Sequence, residues 1–169
     1  MTNIQAITFN KDKKMTNRVQ FPLTLFLPLK KEAAPAIRAQ LKEDDQSAGA
    51  LAETKLVHFA RLFVFEENNP MGIPDNTLAV ITTYDGDFKA YVQAFVDKDG
   101  PAEFFDKILG AVDIKGAADL IPVRKNAKAF ADLMAQYDAT NVNNEPWGSW
   151  FSAYPGATVL NIQQALNPS

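Results

Sequence analysis

The stretch Leu56-Val57-His58-Phe59-Ala60-Arg61-Leu62-Phe63-Val64-Phe65 decides the fold of this chain. Read as an extended strand, it puts Leu56, His58, Ala60, Leu62 and Val64 on one side and Val57, Phe59, Arg61, Phe63 and Phe65 on the other. Both sides are apolar. An antiparallel sheet with one wet face alternates polar and apolar residues, so this strand has to be covered on both faces. Its two polar groups, one of them the only histidine in the chain, are then either satisfied in a core or line an internal cavity.

Outward from that strand the order of elements follows. Glu66 to Asn76 is a polar, proline-punctuated turn region, and Thr77 to Tyr84 is the next strand, so the two form an antiparallel hairpin with a long loop. Upstream, Val19, Phe21, Leu23, Leu25, Leu27 and Leu29 alternate with Pro22, Thr24, Phe26 and Pro28, which predicts a first strand. Because proline donates no hydrogen bond, that strand needs an irregular or edge-facing side. Lys31 to Ala52 reads as a helix with Pro35 in its first turn and a loose region at Asp44 to Ser47. After Asp85-Gly86-Asp87, which supplies an N-cap, Phe88, Tyr91, Val92, Phe95 and Val96 follow helical spacing.

Two more helices are predicted, one around Phe104, Phe105, Ile108, Leu109 and Val112, the other around Phe130, Leu133, Met134 and Tyr137. Trp147 to Tyr154 has the aromatic density of a last strand, and Thr158 caps a short terminal helix. Strand, helix, strand, strand, helix, strand is the split βαβ order. The expected fold is therefore α+β and ferredoxin-like: a four-stranded antiparallel sheet with helices on one face and a helical insertion, residues 101–140, before the last strand. Residues 1–18 are expected to be a flexible segment, and 19–169 a single domain. A Rossmann arrangement is excluded, since no Gly-rich turn joins the first strand to the first helix.

Composition narrows the function classes. The chain is 47% hydrophobic and 22% charged, the balance of a globular domain with a full core. A net charge of -3, with basic residues scattered apart from Lys11, Lys13, Lys14 and Arg18, gives no pull toward nucleic acid. No apolar run approaches the roughly 18 residues of a membrane span, and the first residues lack the pattern of a signal peptide, so a cytoplasmic protein is expected. Without cysteine there is no thiolate nucleophile and no zinc–thiolate site.

Leaving the second face of such a sheet wet would forfeit about 1.5–3 kcal/mol for each large side chain left uncovered. The simplest cover is a second copy of the chain. In its strand order and its two-faced strands such as Leu56 to Phe65, the chain resembles the dimeric α/β-barrel superfamily over residues 19–155. That resemblance implies a homodimer whose sheets pack face to face, with a site between sheet and helices. Members include small monooxygenases, haem-dependent peroxidase-like enzymes and modules that only bind a small molecule. The haem-dependent members take their proximal histidine from a helix, where this chain has none, so no cofactor is evident.

Six residues are candidates for a site. His58 is suited to proton transfer or haem ligation; the alternative is a core histidine satisfied by one or two hydrogen bonds. Arg61, among phenylalanines, could hold a carboxylate or enolate, or else be ion-paired to Asp85 or Glu66; in a regular strand it projects opposite to His58. Tyr84 and Asp85 stand at a strand end where sites form, although Asp85 or Asp87 could simply cap the helix. Trp147 and Trp150 could wall a planar ligand or serve as core aromatics. Glu66, Glu67 and Asp75 lack metal-site spacing, and no P-loop, G-x-S-x-G or H-E-x-x-H occurs. The expected function is binding of a small apolar or aromatic organic molecule by the central sheet. The alternatives are a monooxygenase-like or haem-assisted oxidoreductase and a structural homodimer without ligand.

Overall fold

The computed structural model describes residues 19–43, 49, 51–142, 145–146, 152–154 and 156–166. Strand β1 is Gln20–Pro28, helix α1 is Ala34–Glu43, and strands β2, Val57–Val64, and β3, Thr77–Asp85, form the hairpin. Helix α2, Phe88–Val96, and helix α3, Asp99–Ala111, lead through two short 3-10 turns to helix α4, Ala127–Gln136. The two-residue strands β4, Asn141–Val142, and β5, Glu145–Pro146, pair with each other, and helix α5, Val159–Leu166, comes last.

The main sheet is antiparallel in the order β1-β3-β2, with Leu25 opposite Val80 and Val80 opposite Leu62. Leu23, Leu25, Leu78, Val80 and Tyr84 therefore share one face, which packs on helices α2 to α4 through Tyr91, Val92, Phe95, Phe105, Ile108, Phe130 and Met134. Helix α2 forms where its sequence directs: Asp87 accepts hydrogen bonds from the Lys89 and Ala90 N–H groups, and Tyr91, Val92, Phe95 and Val96 are buried along one stripe. Thr158 and Asn161 cap α5 reciprocally, each side chain accepting from the other's N–H at 3.1 Å.

The four-stranded sheet expected from the sequence is corrected to three strands among the described residues. Ser152 to Tyr154 forms no strand, and residues 147–151, including Trp147 and Trp150, lie outside the described residues. The reason lies in β1. Leu29 N–H donates to Asn76 O on the β3 side, so the even-numbered residues of β1 turn their backbone groups outward. Two of those residues, Pro22 and Pro28, have no N–H, which breaks the ladder a fourth strand would need. Short contacts from separate segments take its place. Asp113 N–H donates to Pro28 O, Ala139 N–H to Thr24 O, and Thr140 Oγ1 to Pro22 O.

Candidate functional site

His58 occupies a β-bulge. Val57 faces Tyr84 and Phe59 faces Thr83, so His58 is the extra residue of β2. The bulge shifts the alternation and turns the imidazole toward Asp85 on the face that carries Phe59 and Arg61. The expectation that His58 and Arg61 project oppositely held only for a regular strand, and the bulge removes it.

Asp85 follows Tyr84 in β3 and points to the opposite face. Its side chain is 6% exposed; Oδ1 lies 2.6 Å from His58 Nε2, and Oδ2 accepts the Val159 N–H at 2.7 Å. Since a carboxylate only accepts, the imidazole Nε2–H donates. Beside this pair, Gln20 Nε2 donates to Tyr154 O and Ala157 O, while Gln20 Oε1 accepts from Ser152 Oγ. Together these hydrogen bonds, made by the buried side chains of Gln20 and Asp85, fasten the start of α5 to the end of the sheet. Asp85 thus meets the N-terminus of α5, where N–H groups need partners, and Asp87 caps α2.

Arg61 is exposed, its guanidinium 4.9 Å over the Phe63 ring, an arrangement that stabilises the cation without an ion pair to Asp85 or Glu66. Glu66 instead stands 3.9 Å from Arg38, whose Nη2 donates to the Phe65 and Asp75 carbonyls and ties the hairpin loop to α1. Tyr84 lies on the helix side, stacked on Tyr91 with ring centroids 4.1 Å apart. Burial pushes the Tyr91 phenol well above its ordinary range, against a smaller lowering by its hydrogen bond with Thr82. The structure therefore joins His58 to Asp85, leaves Arg61 on the same face at the surface, and separates Tyr84 from all three.

A different place can hold a molecule. Between the sheet and the α3–α4 pair lies an apolar cavity of about 30 Å³, walled by Leu25, Val80, Phe105, Ile108, Phe130 and Met134. Half-buried Leu27, Phe104, Ile114 and Leu133 line its rim. Of the candidate residues, His58, Arg61, Tyr84 and Asp85 do not line it, and every side chain around it among the described residues is apolar. The helical spacing of Phe105, Ile108, Phe130 and Met134 announced a packed face; only the three-dimensional fit shows where that packing stops short. Among the described residues, no group of three or more His, Asp or Glu is placed to hold a metal ion, and no helix is long and apolar enough to cross a membrane.

Comparison with known proteins gives no match to a family model, to a curated protein or to a solved structure.

Proposed function

We propose that this chain binds a small apolar or aromatic organic molecule between its sheet and the α3–α4 pair. The observation that supports this reading is the cavity behind Leu25 and Val80, lined by apolar side chains alone among the described residues, where close packing between sheet and helices fails. A volume of about 30 Å³ holds one solvent-sized molecule, yet the described side chains of its walls offer water no hydrogen bond. A ligand of aromatic size enters by displacing Phe104 and Leu133, the half-buried side chains at the rim. Recognition then rests on shape and apolar contact, with Met134 as the adaptable wall.

The oxidoreductase alternative draws no support from this arrangement, because His58 is committed to Asp85 and stands outside the cavity lining. The test is a fluorescence titration with the neutral apolar probe N-phenyl-1-naphthylamine. Saturable binding of one probe per chain is expected, weakened at least about tenfold, about 1.4 kcal/mol, by Leu133→Trp, which fills the rim. Absence of saturable binding, or binding that Leu133→Trp leaves unchanged, would sink the reading.

A further inference from the structure

We infer that the outer edge of β2 is the interface of a homodimer, in which the β2 strands of two copies pair antiparallel about a two-fold axis at Leu62. Phe65 N–H donates to Thr77 O, so the odd-numbered residues of β2 from Phe59 onward face β3. The backbone groups of Ala60, Leu62 and Val64 consequently point away from the sheet. No hydrogen bond to them is made within the described residues, and Ala60 and Leu62 are only half-buried.

Edge strands of globular proteins are ordinarily blunted by proline, lysine, a bulge or a covering segment. The outer edge of β1 is blunted in two of these ways, with Pro22 and Pro28 in the strand and separate segments laid against it. Along β2 the bulge ends at His58, and from Phe59 to Val64 there is neither proline nor lysine. What remains is a regular edge, apolar apart from Arg61, whose outward backbone groups meet no partner among the described residues.

The sequence of that edge selects a second copy as its occupant and fixes the register. Pairing about Leu62 sets Ala60 opposite the partner's Val64, Arg61 opposite the partner's Phe63, and Phe59 opposite the partner's Phe65. Arg61 already lies over a Phe63 ring within its own chain, and this register places a second such ring across the two-fold axis. It also brings Phe59, which is 52% exposed, against an aromatic neighbour. A register one residue shorter, centred on Arg61, would set two guanidinium groups directly opposite each other and is disfavoured by their charge. The product is a continuous six-stranded sheet in the order β1-β3-β2-β2-β3-β1, and it does not depend on any ligand in the cavity.

Native mass spectrometry of the whole chain, repeated on Ala60→Pro, tests this. The substitution deletes an outward N–H and leaves the β2–β3 ladder its donors. A dimer that Ala60→Pro converts to monomer, with an unchanged circular dichroism spectrum, is the expected result. Because that variant can fail to fold, the double variant Arg61→Cys/Phe63→Cys is the second arm. In an otherwise cysteine-free chain, mild oxidation should link it into a covalent dimer, since the two positions face each other as a non-hydrogen-bonded pair. A monomeric wild-type chain, or a dimer that survives Ala60→Pro and gives no cross-link in the double variant, would overturn the proposal.

Discussion

Asp85 is a single carboxylate that answers to two elements, accepting from the His58 imidazole on β2 and from the Val159 N–H at the start of α5. Its removal leaves both donors in a buried setting without their partner, a loss of about 1–3 kcal/mol. Asp85→Ala should lower the unfolding free energy in a urea titration by that amount and speed hydrogen exchange at the Val159 amide. Unchanged exchange there would mean that α5 is held by something else. Tyr91 carries a prediction in pH. Above about pH 10 an unfolded tyrosine ionises while the buried Tyr91 phenol keeps its proton, so the unfolded state binds fewer protons and stability falls as pH rises. The contribution of the neutral phenol is complete below that pH. Tyr91→Phe should therefore make the alkaline loss of stability shallower, as followed by urea midpoints at pH 9 and above, with a cost of about 1 kcal/mol at neutral pH from the Thr82 hydroxyl left behind. At this scale the sequence was partly legible. The apolar run around His58 limited it to a satisfied core group or a cavity group, but nothing in Leu56-Val57-His58-Phe59 marks the bulge, because no glycine or change of pattern accompanies it. For that reason the direction of the imidazole, and its pairing with Asp85 in place of Arg61, emerged only from the strand register.

At the scale of elements, legibility followed the strength of local rules. Helix α2 was plain because its cap and its period agree, Asp87 preceding Phe88, Tyr91, Val92, Phe95 and Val96. The β2–β3 hairpin was equally plain, its polar loop being flanked by runs of β-branched and aromatic residues. Aromatic density at Trp147 to Tyr154 predicts a fourth strand, and the prolines of β1 oppose it. Density of that kind measures side-chain fit to a half-buried surface, whereas a strand also needs a neighbour with donors to offer. Pro22 and Pro28 withhold donors along the outer edge of β1, and bridges at Leu25 with Asp138 and at Leu29 with Val112 occupy it instead. The same prolines had correctly indicated an irregular or edge-facing side. The register of β1 with β3 shows which backbone groups they affect.

At the scale of the whole molecule, the sheet has two unlike faces. One is sealed by α2, α3 and α4, and the cavity sits where that seal is imperfect, behind Leu25 and Val80. The other keeps Phe26 at 40% and Phe59 at 52% exposure while Ala79 and Phe65 are buried, so the cover expected on both faces of the sheet is incomplete within the described residues. The sequence leads to the expectation of a cavity by the sheet but not to its place, because Phe105, Ile108, Phe130 and Met134 obey the same spacing whether packed tightly or loosely. Occupancy of the cavity is the central claim, and a methyl-resolved NMR titration with benzene addresses it most directly. Saturable shift changes confined to the methyl groups of Leu25, Val80, Ile108, Leu109 and Met134 would place the ligand between sheet and helices. No saturable shifts, or shifts confined to the opposite side of the sheet at Ile81 and Thr83, would contradict it.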